Sequence, residues 1–250
     1  DTLTNWTCKA CDGPAAGFQY EALVWHAPTN TKGFVGYLPS KNQAVISFQG
    51  SKDLANWISD LYFFKVDLPL PGAPNGTMVH SGFFDAYKTV RSQVHAALAS
   101  VQAKNKNNAT VVVTGHSLGG ALSVLCALDL AVDMPQLVPN GISVVNFGCP
   151  RVGNPQFASY YESSVGFGHT MRVVHHHDIV PHLPMQTLGF RHEAREYWQH
   201  TKDYTGPSDV TECDGSGEDK TCSDSVGTIH WSALEHTHYL GWSVECVEHY

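Results

Sequence analysis

The segment VVVTGHSLGGAL, residues 111–122, sets Ser117 between Gly115 and Gly119 directly after a run of β-branched residues. Strand, then Gly-x-Ser-x-Gly, then helix is the pattern of a nucleophile elbow. The glycines permit the sharp turn that pushes the serine hydroxyl into the open. A helix starting at Ser117 aims its first N–H groups at the same spot, where negative charge develops during acyl transfer. A serine alone is inert: it needs a base, and the base needs an orienting acid. Downstream, VVHHHDIVPHLP (173–184) puts Asp178 just past a strand, where Pro181 keeps the chain extended. SALEHTHYLGW (232–242) then offers His236 and His238 as the base. The order Ser, then acid, then His is one in which such triads occur.

These residues need elements to hold them. QAVISFQG (43–50), TVVVTG (110–115), ISVVNFG (142–148) and HTMRVVHH (169–176) read as strands, each apolar or β-branched and ending near turn residues. Residues 82–104 read as a helix with Ser81 as N-cap. Residues 117–134 read as a helix apolar nearly all round, hence buried, and stopped by Pro135. NPQFASYYESS (154–164) opens with Asn as cap and Pro in the first turn. Apolar strands alternating with helices predict an α/β fold, a mostly parallel central sheet covered by helices on both faces. Sites in such sheets form at the carboxyl ends of the strands, where Ser117 falls. The Pro- and Gly-rich stretch 66–77 reads as a surface crossing. No repeat or linker interrupts the chain, so residues 1–250 read as a single domain.

Bulk properties narrow the function classes. The chain has 250 residues, 42% hydrophobic and 15% charged, enough for a substantial core. A net charge of −8 with no Lys/Arg-rich run argues against nucleic acid as a partner. No apolar run is long enough for a transmembrane helix, and no signal-peptide pattern opens the chain at Asp1, as in a processed mature protein. Cys213 and Cys222 flank a polar loop, and Cys8 and Cys11 can close a very small one. Sequons occur at Asn5, Asn75 and Asn108 in stretches expected to be exposed. Together these favour a secreted, extracellular, disulfide-containing glycoprotein. Cys126 and Cys149 lie in apolar segments and read as buried small hydrophobes. His175 and His177 alternate on a strand, a spacing open to metal. Metal sites usually have three or four ligands, so packing beside Asp178 is the better reading, with no metal and no cofactor.

Taken together, CKAC, ISFQGS, NWISDL, VHSGFFDAY, VTGHSLGGALS, VNFGCPRVGN, HDIVPHLP, REYW and a terminal H-x-x-Y resemble the fungal class 3 lipase family of secreted α/β-hydrolases. That resemblance implies Ser117 as nucleophile and Asp178 as acid. It selects His236, three residues before Tyr239, over His238. It implies Ser51 and Leu118 as the oxyanion hole, with Asp60 holding the Ser51 side chain. Leu118, just after the nucleophile at a helix start, has an N–H free of an intrahelical partner. The segment SKDLANWISDLYFF (51–64) carries Leu54, Trp57, Ile58 and Leu61 on one helical face. In the family this segment is the lid, which covers the site in water and turns towards lipid at an interface. His116, Val180 and Leu183 are expected to wall the substrate pocket, and His80 to support the site through a hydrogen bond. Family members tie the tail to a cysteine near the N-terminus; Cys246 has no such match here.

The activity implied is hydrolysis of acylglycerol esters through an acyl-enzyme. The enzyme is expected to work as a monomer in peripheral rather than transmembrane contact with lipid. Alternatives on the same scaffold are a feruloyl- or acetyl-type carbohydrate esterase and a phospholipase A1. A non-enzymatic alternative is an inactive lipid-binding relative, which usually lacks a triad member.

Overall fold

A computed structural model describes residues 3–8, 11–51, 53, 56, 58 and 63–244. Its centre is an eight-stranded sheet in the order β1-β2-β3-β6-β7-β8-β9-β10. Strands β3 (Gln43–Phe48), β6 (Thr110–His116), β7 (Ile142–Phe147), β8 (Thr170–His175) and β9 (Glu196–Gln199) run parallel, side by side in chain order. At one edge, β1 (Gln19–His26) and β2 (Thr31–Leu38) add an antiparallel hairpin. At the other edge, β10 (Val210–Glu212) pairs antiparallel with β9. The four strands expected from sequence are all present, while β1, β2, β9 and β10 are additional. The stretch 66–77 is only partly a surface crossing. It leaves β4 (Lys65–Asp67) and returns as β5 (Met78–His80), which pairs back on β4 as a small ribbon.

Among the described residues three long helices pack on this sheet: α1 (Ser81–Lys104), α2 (Leu118–Asp133) and α3 (Pro155–Val165). In α1 the buried residues Phe83, Tyr87, Val90, Val94, Leu98 and Val101 recur every three or four positions, one stripe of a 3.6-residue helix. In α2 every residue from Gly119 to Leu130 is buried, as its all-round apolar sequence requires. Asn154 caps α3 by accepting from the Phe157 N–H at 3.0 Å, with Pro155 in the first turn. Ala44, Val111 and Ile142 stand in register, as do Ile46, Val113 and Val144, and all six are buried. Each such apolar side chain contributes roughly 1.5–3 kcal/mol when fully buried. Burial alternates along β3, β6 and β7, so the in-between residues on the other face are half-buried.

One charge sits inside this apolar packing. Asp129, fully buried on α2, accepts two bonds from Arg91 Nε (both 3.0 Å) and one from Arg91 Nη2 (2.7 Å). Tyr87 Oη and His95 Nε2 each lie 2.6 Å from its Oδ2. All three partners are on α1, so the carboxylate clamps the two helices together. Full pairing is what makes a buried charge tolerable. Among the described residues no helix is long and apolar enough to cross a membrane.

Candidate active site

Ser117 follows β6 with φ 58° and ψ −127° and is buried, 2% exposed. Positive φ is uncommon for a residue with a Cβ and costs of order 1–3 kcal/mol, so the surroundings must hold it. The glycines of the motif make that hold possible. A Cβ on Gly115 would lie 2.2 Å from the Gly119 carbonyl oxygen, and one on Gly119 2.3 Å from the Phe48 carbonyl oxygen. The start of α2 is therefore pressed onto the ends of β3 and β6. A Cβ on Gly50 would lie 3.2 Å from Ser117 Cβ, so Ser51, half-buried, is one residue from direct contact with the elbow. Leu118 is the first residue of α2 and its N–H points out of the helix start.

Asp178 lies three residues beyond β8 and is fully buried. Its Oδ2 is 2.6 Å from His236 Nδ1 and accepts a short bond from the Tyr239 hydroxyl. Its Oδ1 accepts the Val180 N–H at 2.8 Å. The sequence separation of 58 between acid and base is spanned by a short parallel bridge, Asp178 to Ser232. The Ser232 N–H donates to the His177 carbonyl at 2.8 Å within this bridge. Two imidazoles then fix the peptide around His236. His175 Nδ1 lies 2.8 Å from the Glu235 carbonyl oxygen and His116 Nε2 lies 2.8 Å from the His236 carbonyl oxygen. The His116 and His236 rings are 4.2 Å apart. A Cβ on Gly148, at the end of β7, would lie 2.6 Å from His236 Cε1. Ser117 Oγ and His236 Nε2 are the two buried atoms of the group that make no hydrogen bond.

The electrostatics separate the roles. Burial alone would raise the Asp178 carboxyl, but the His236 charge and the bonds from His236, Tyr239 and Val180 hold it below the ordinary carboxylate range. Burial, then the neighbouring Asp178 charge, pushes the Tyr239 phenol well up, so it stays a donor. Burial and the His236 charge push His116 down to about 3, which leaves it a neutral wall rather than a second base. Burial and Arg151 likewise lower His182 to about 4, and burial and Arg172 take His192 well below its ordinary value.

These imidazoles carry a consequence for acid stability. In the unfolded chain each takes up a proton near pH 6.5, while the native state does not. The unfolded state therefore binds more protons, and stability falls as pH drops below about 6.5. Three such groups remove as much as ~4 kcal/mol per pH unit between about pH 6 and pH 4. Urea unfolding at pH 7, 6 and 5 reads this slope; a midpoint unchanged down to pH 5 contradicts it.

Asp178 and His236 meet directly, His116, next to Ser117 in the chain, contacts His236, and Ser51 follows Gly50, which borders Ser117, whereas His238 is exposed and bonds the Thr237 hydroxyl through Nδ1 at 2.8 Å. Within residues 51–64 Asn56 and Ile58 are helical, Ile58 is half-buried, and Asp53 caps the turn by accepting the Asn56 N–H at 3.1 Å. Leu54, Trp57, Asp60 and Leu61 lie outside the described residues, as does Cys246. The expected cap of α1 is corrected: it is His80, not Ser81, whose Nδ1 accepts the Phe83 N–H at 3.3 Å. Val180 and Leu183 are buried, and Val180 serves Asp178 through its backbone. Cys8–Cys11 and Cys213–Cys222 are disulfides, and Cys126 and Cys149 are buried free thiols. Asn5, Asn75 and Asn108 are all exposed. Sequence reasoning missed Gly148 and the positioning work of His175; Tyr239 entered it only as a marker for His236.

A family model described as lipase (class 3) matches residues 45–188. A lipase from Rhizomucor miehei is 39% identical over 240 residues, covering 95% of this chain and 62% of that protein. Secreted mono- and diacylglycerol lipase 1 of Fusarium solani is 34% identical over 234 residues, covering 90% of this chain and 66% of that protein. This chain thus spans about three-fifths of the length of curated relatives it matches. The Rhizomucor miehei lipase in its propeptide complex has a TM-score of 0.84 at 35% identity, covering 95% of this chain and 73% of that one. A triacylglycerol lipase with a catalytic centre formed by a serine protease triad also gives 0.84, at 36% identity, over 97% of this chain and 88% of its own. Likeness of this degree, running from the first strands through the His236 segment, makes the chain a member of the class 3 lipase family, with its α/β-hydrolase fold.

Proposed function

We propose that this protein is a secreted serine hydrolase that cleaves carboxylic esters of acylglycerols at a lipid–water interface. The observation that carries the proposal is the buried His236–Asp178 pair at 2.6 Å, with His236 in contact with His116, the residue before a serine held at φ 58°. His236 Nε2 takes the Ser117 proton as Oγ attacks the ester carbonyl. Asp178 keeps the other ring proton on Nδ1 and steadies the imidazolium. The N–H groups of Ser51 and Leu118, with the Ser51 hydroxyl, receive the oxyanion. His236 then gives its proton to the departing alcohol, and water cleaves the acyl-enzyme by the same route. Asp60 orients the Ser51 hydroxyl in this reading.

Residues 51–64 act as the lid of a single domain spanning 1–250. Its apolar face (Leu54, Trp57, Ile58 and Leu61) covers the site in water. Exposing that face costs about 25 cal/mol per Å² of apolar area, a cost that a lipid surface removes. Contact with lipid is peripheral and the enzyme acts as a monomer. Secretion is supported by two disulfides and by the Fusarium and Malassezia relatives, which are named secreted lipases.

The test is hydrolysis of emulsified tri- and diacylglycerols beside a soluble phenolic ester. Cleavage of the emulsions, with a jump as substrate passes its solubility limit, is the expected result. Turnover of the soluble ester alone makes the protein a carbohydrate-type esterase. Turnover of neither makes it a binding relative.

A further inference from the structure

Two groups of metal-capable side chains occur among the described residues. One sets Glu196 beside Cys213 and Cys222, whose sulfurs are joined in a disulfide and so cannot ligate. The other is His176, His177 and Glu235, with one ligand atom from each lying within 4.8 Å of the others. On an extended strand, adjacent rings point to opposite sides. Here β8 ends at His175 and His176 turns to φ 37°. The rings of His176 and His177 therefore stack on one side, 3.7 Å apart and 12° from parallel. Glu235 Oε2 reaches back to both residues, 2.8 Å from His176 Nδ1 and 2.8 Å from the His177 backbone nitrogen. The His230 ring stands 5.7 Å from that of His177. All three side chains are half-buried and reachable from solvent. His175, paired with His177 by sequence spacing, is not part of the group. Backbone carbonyls of Glu235 and Lys202 take both its ring nitrogens, at 2.8 and 2.9 Å.

We infer that His176, His177 and Glu235 form a binding site for a divalent transition ion of the zinc type. Two imidazoles and one carboxylate suit zinc, copper or nickel, whereas calcium and magnesium prefer all-oxygen shells. The ion takes the place of the His176–Glu235 hydrogen bond, with water or His230 completing the shell. Two of its ligands, His177 and Glu235, are the chain neighbours of Asp178 and His236. Binding therefore ties together the two turns that carry them. The site stands apart from ester hydrolysis, and its test does not depend on turnover.

The probe is Co2+ added to the full chain, read by its visible ligand-field absorption and by displacement with Zn2+. The wild type is expected to bind one ion. Zn2+ at about 100 times its Kd should raise the melting temperature by roughly 5–10 °C. His177→Phe keeps a stacked ring without nitrogens, and His176→Gln removes the other ring. Each should weaken binding by at least the roughly 10–100-fold that loss of an outer-shell partner costs. No absorption band in the wild type, or an equal band and equal melting shift in both variants, overturns the inference.

Discussion

Ser117→Ala is expected to lower kcat on an emulsified acylglycerol by roughly 10^6-fold, the scale on which removing the nucleophile disables a serine hydrolase. At 1.36 kcal/mol per decade this is about 8 kcal/mol of lost transition-state stabilisation. The residue is buried, bonds nothing through Oγ and keeps its Cβ in the variant, so the fold should persist. Ser117→Gly gives a companion measurement. It should be equally inactive yet gain of order 1 kcal/mol in stability, because φ 58° is strained only for a residue with a Cβ. Titration of released fatty acid, with circular dichroism as the folding control, checks both. More than about 1% of wild-type activity in Ser117→Ala would remove Ser117 from the mechanism.

Asp178→Asn is expected to cost about 10^4-fold in kcat while leaving the shape of the site intact. The amide donates where the carboxylate accepted, so His236 Nδ1, 2.6 Å away, must give up its proton and present the wrong tautomer to Ser117. Stability should fall as well, by about 1–3 kcal/mol at pH 7, since the Tyr239 hydroxyl and His236 lose a charged acceptor. The sign follows from the lowered native pKa of Asp178. Its contribution is complete above the unfolded value near 3.9 and is lost as pH falls through the native value. The stability gap between wild type and variant should thus persist at pH 5 and close only below about pH 4. Urea denaturation of both proteins at pH 7 and pH 3.5 measures it. A variant as active as the wild type would mean that another group orients His236.

The elbow was legible because its determinants are local. Gly115, Ser117 and Gly119 are neighbours in sequence, and the turn they form depends on little else. Asp178 was legible as a carboxylate just past a strand end. His236 was separated from His238 only by the family resemblance, since the partner that decides between them lies 58 residues away. The β1–β2 hairpin escaped notice because Gly33 and Gly36 dilute its apolar pattern. Gly36 has a long-range reason, as a Cβ there would lie 2.2 Å from the Phe18 ring. His80 as a helix cap and Asp129 inside an apolar helix were likewise hidden. For His80 the neighbouring Ser81 is the more usual capping residue, although the Phe83 N–H that His80 accepts is only three residues on; for Asp129 the partners are three side chains of α1, 34 to 42 residues away.

The segment that delivers His236 is attached differently from the rest of the site. Ser117 and Asp178 hang from β6 and β8 inside the sheet, whereas residues 232–239 are joined to it by a bridge at Ser232 and by bonds to His116, His175, His176, His177 and Asp178. Tied by these bonds rather than by a ladder of strand pairing, that arm is expected to detach at a free energy below that of global unfolding. Thermal unfolding of this protein should then run in two stages: a first, reversible on cooling, in which the arm lifts while the sheet still gives its full circular dichroism, and a second in which the sheet itself is lost.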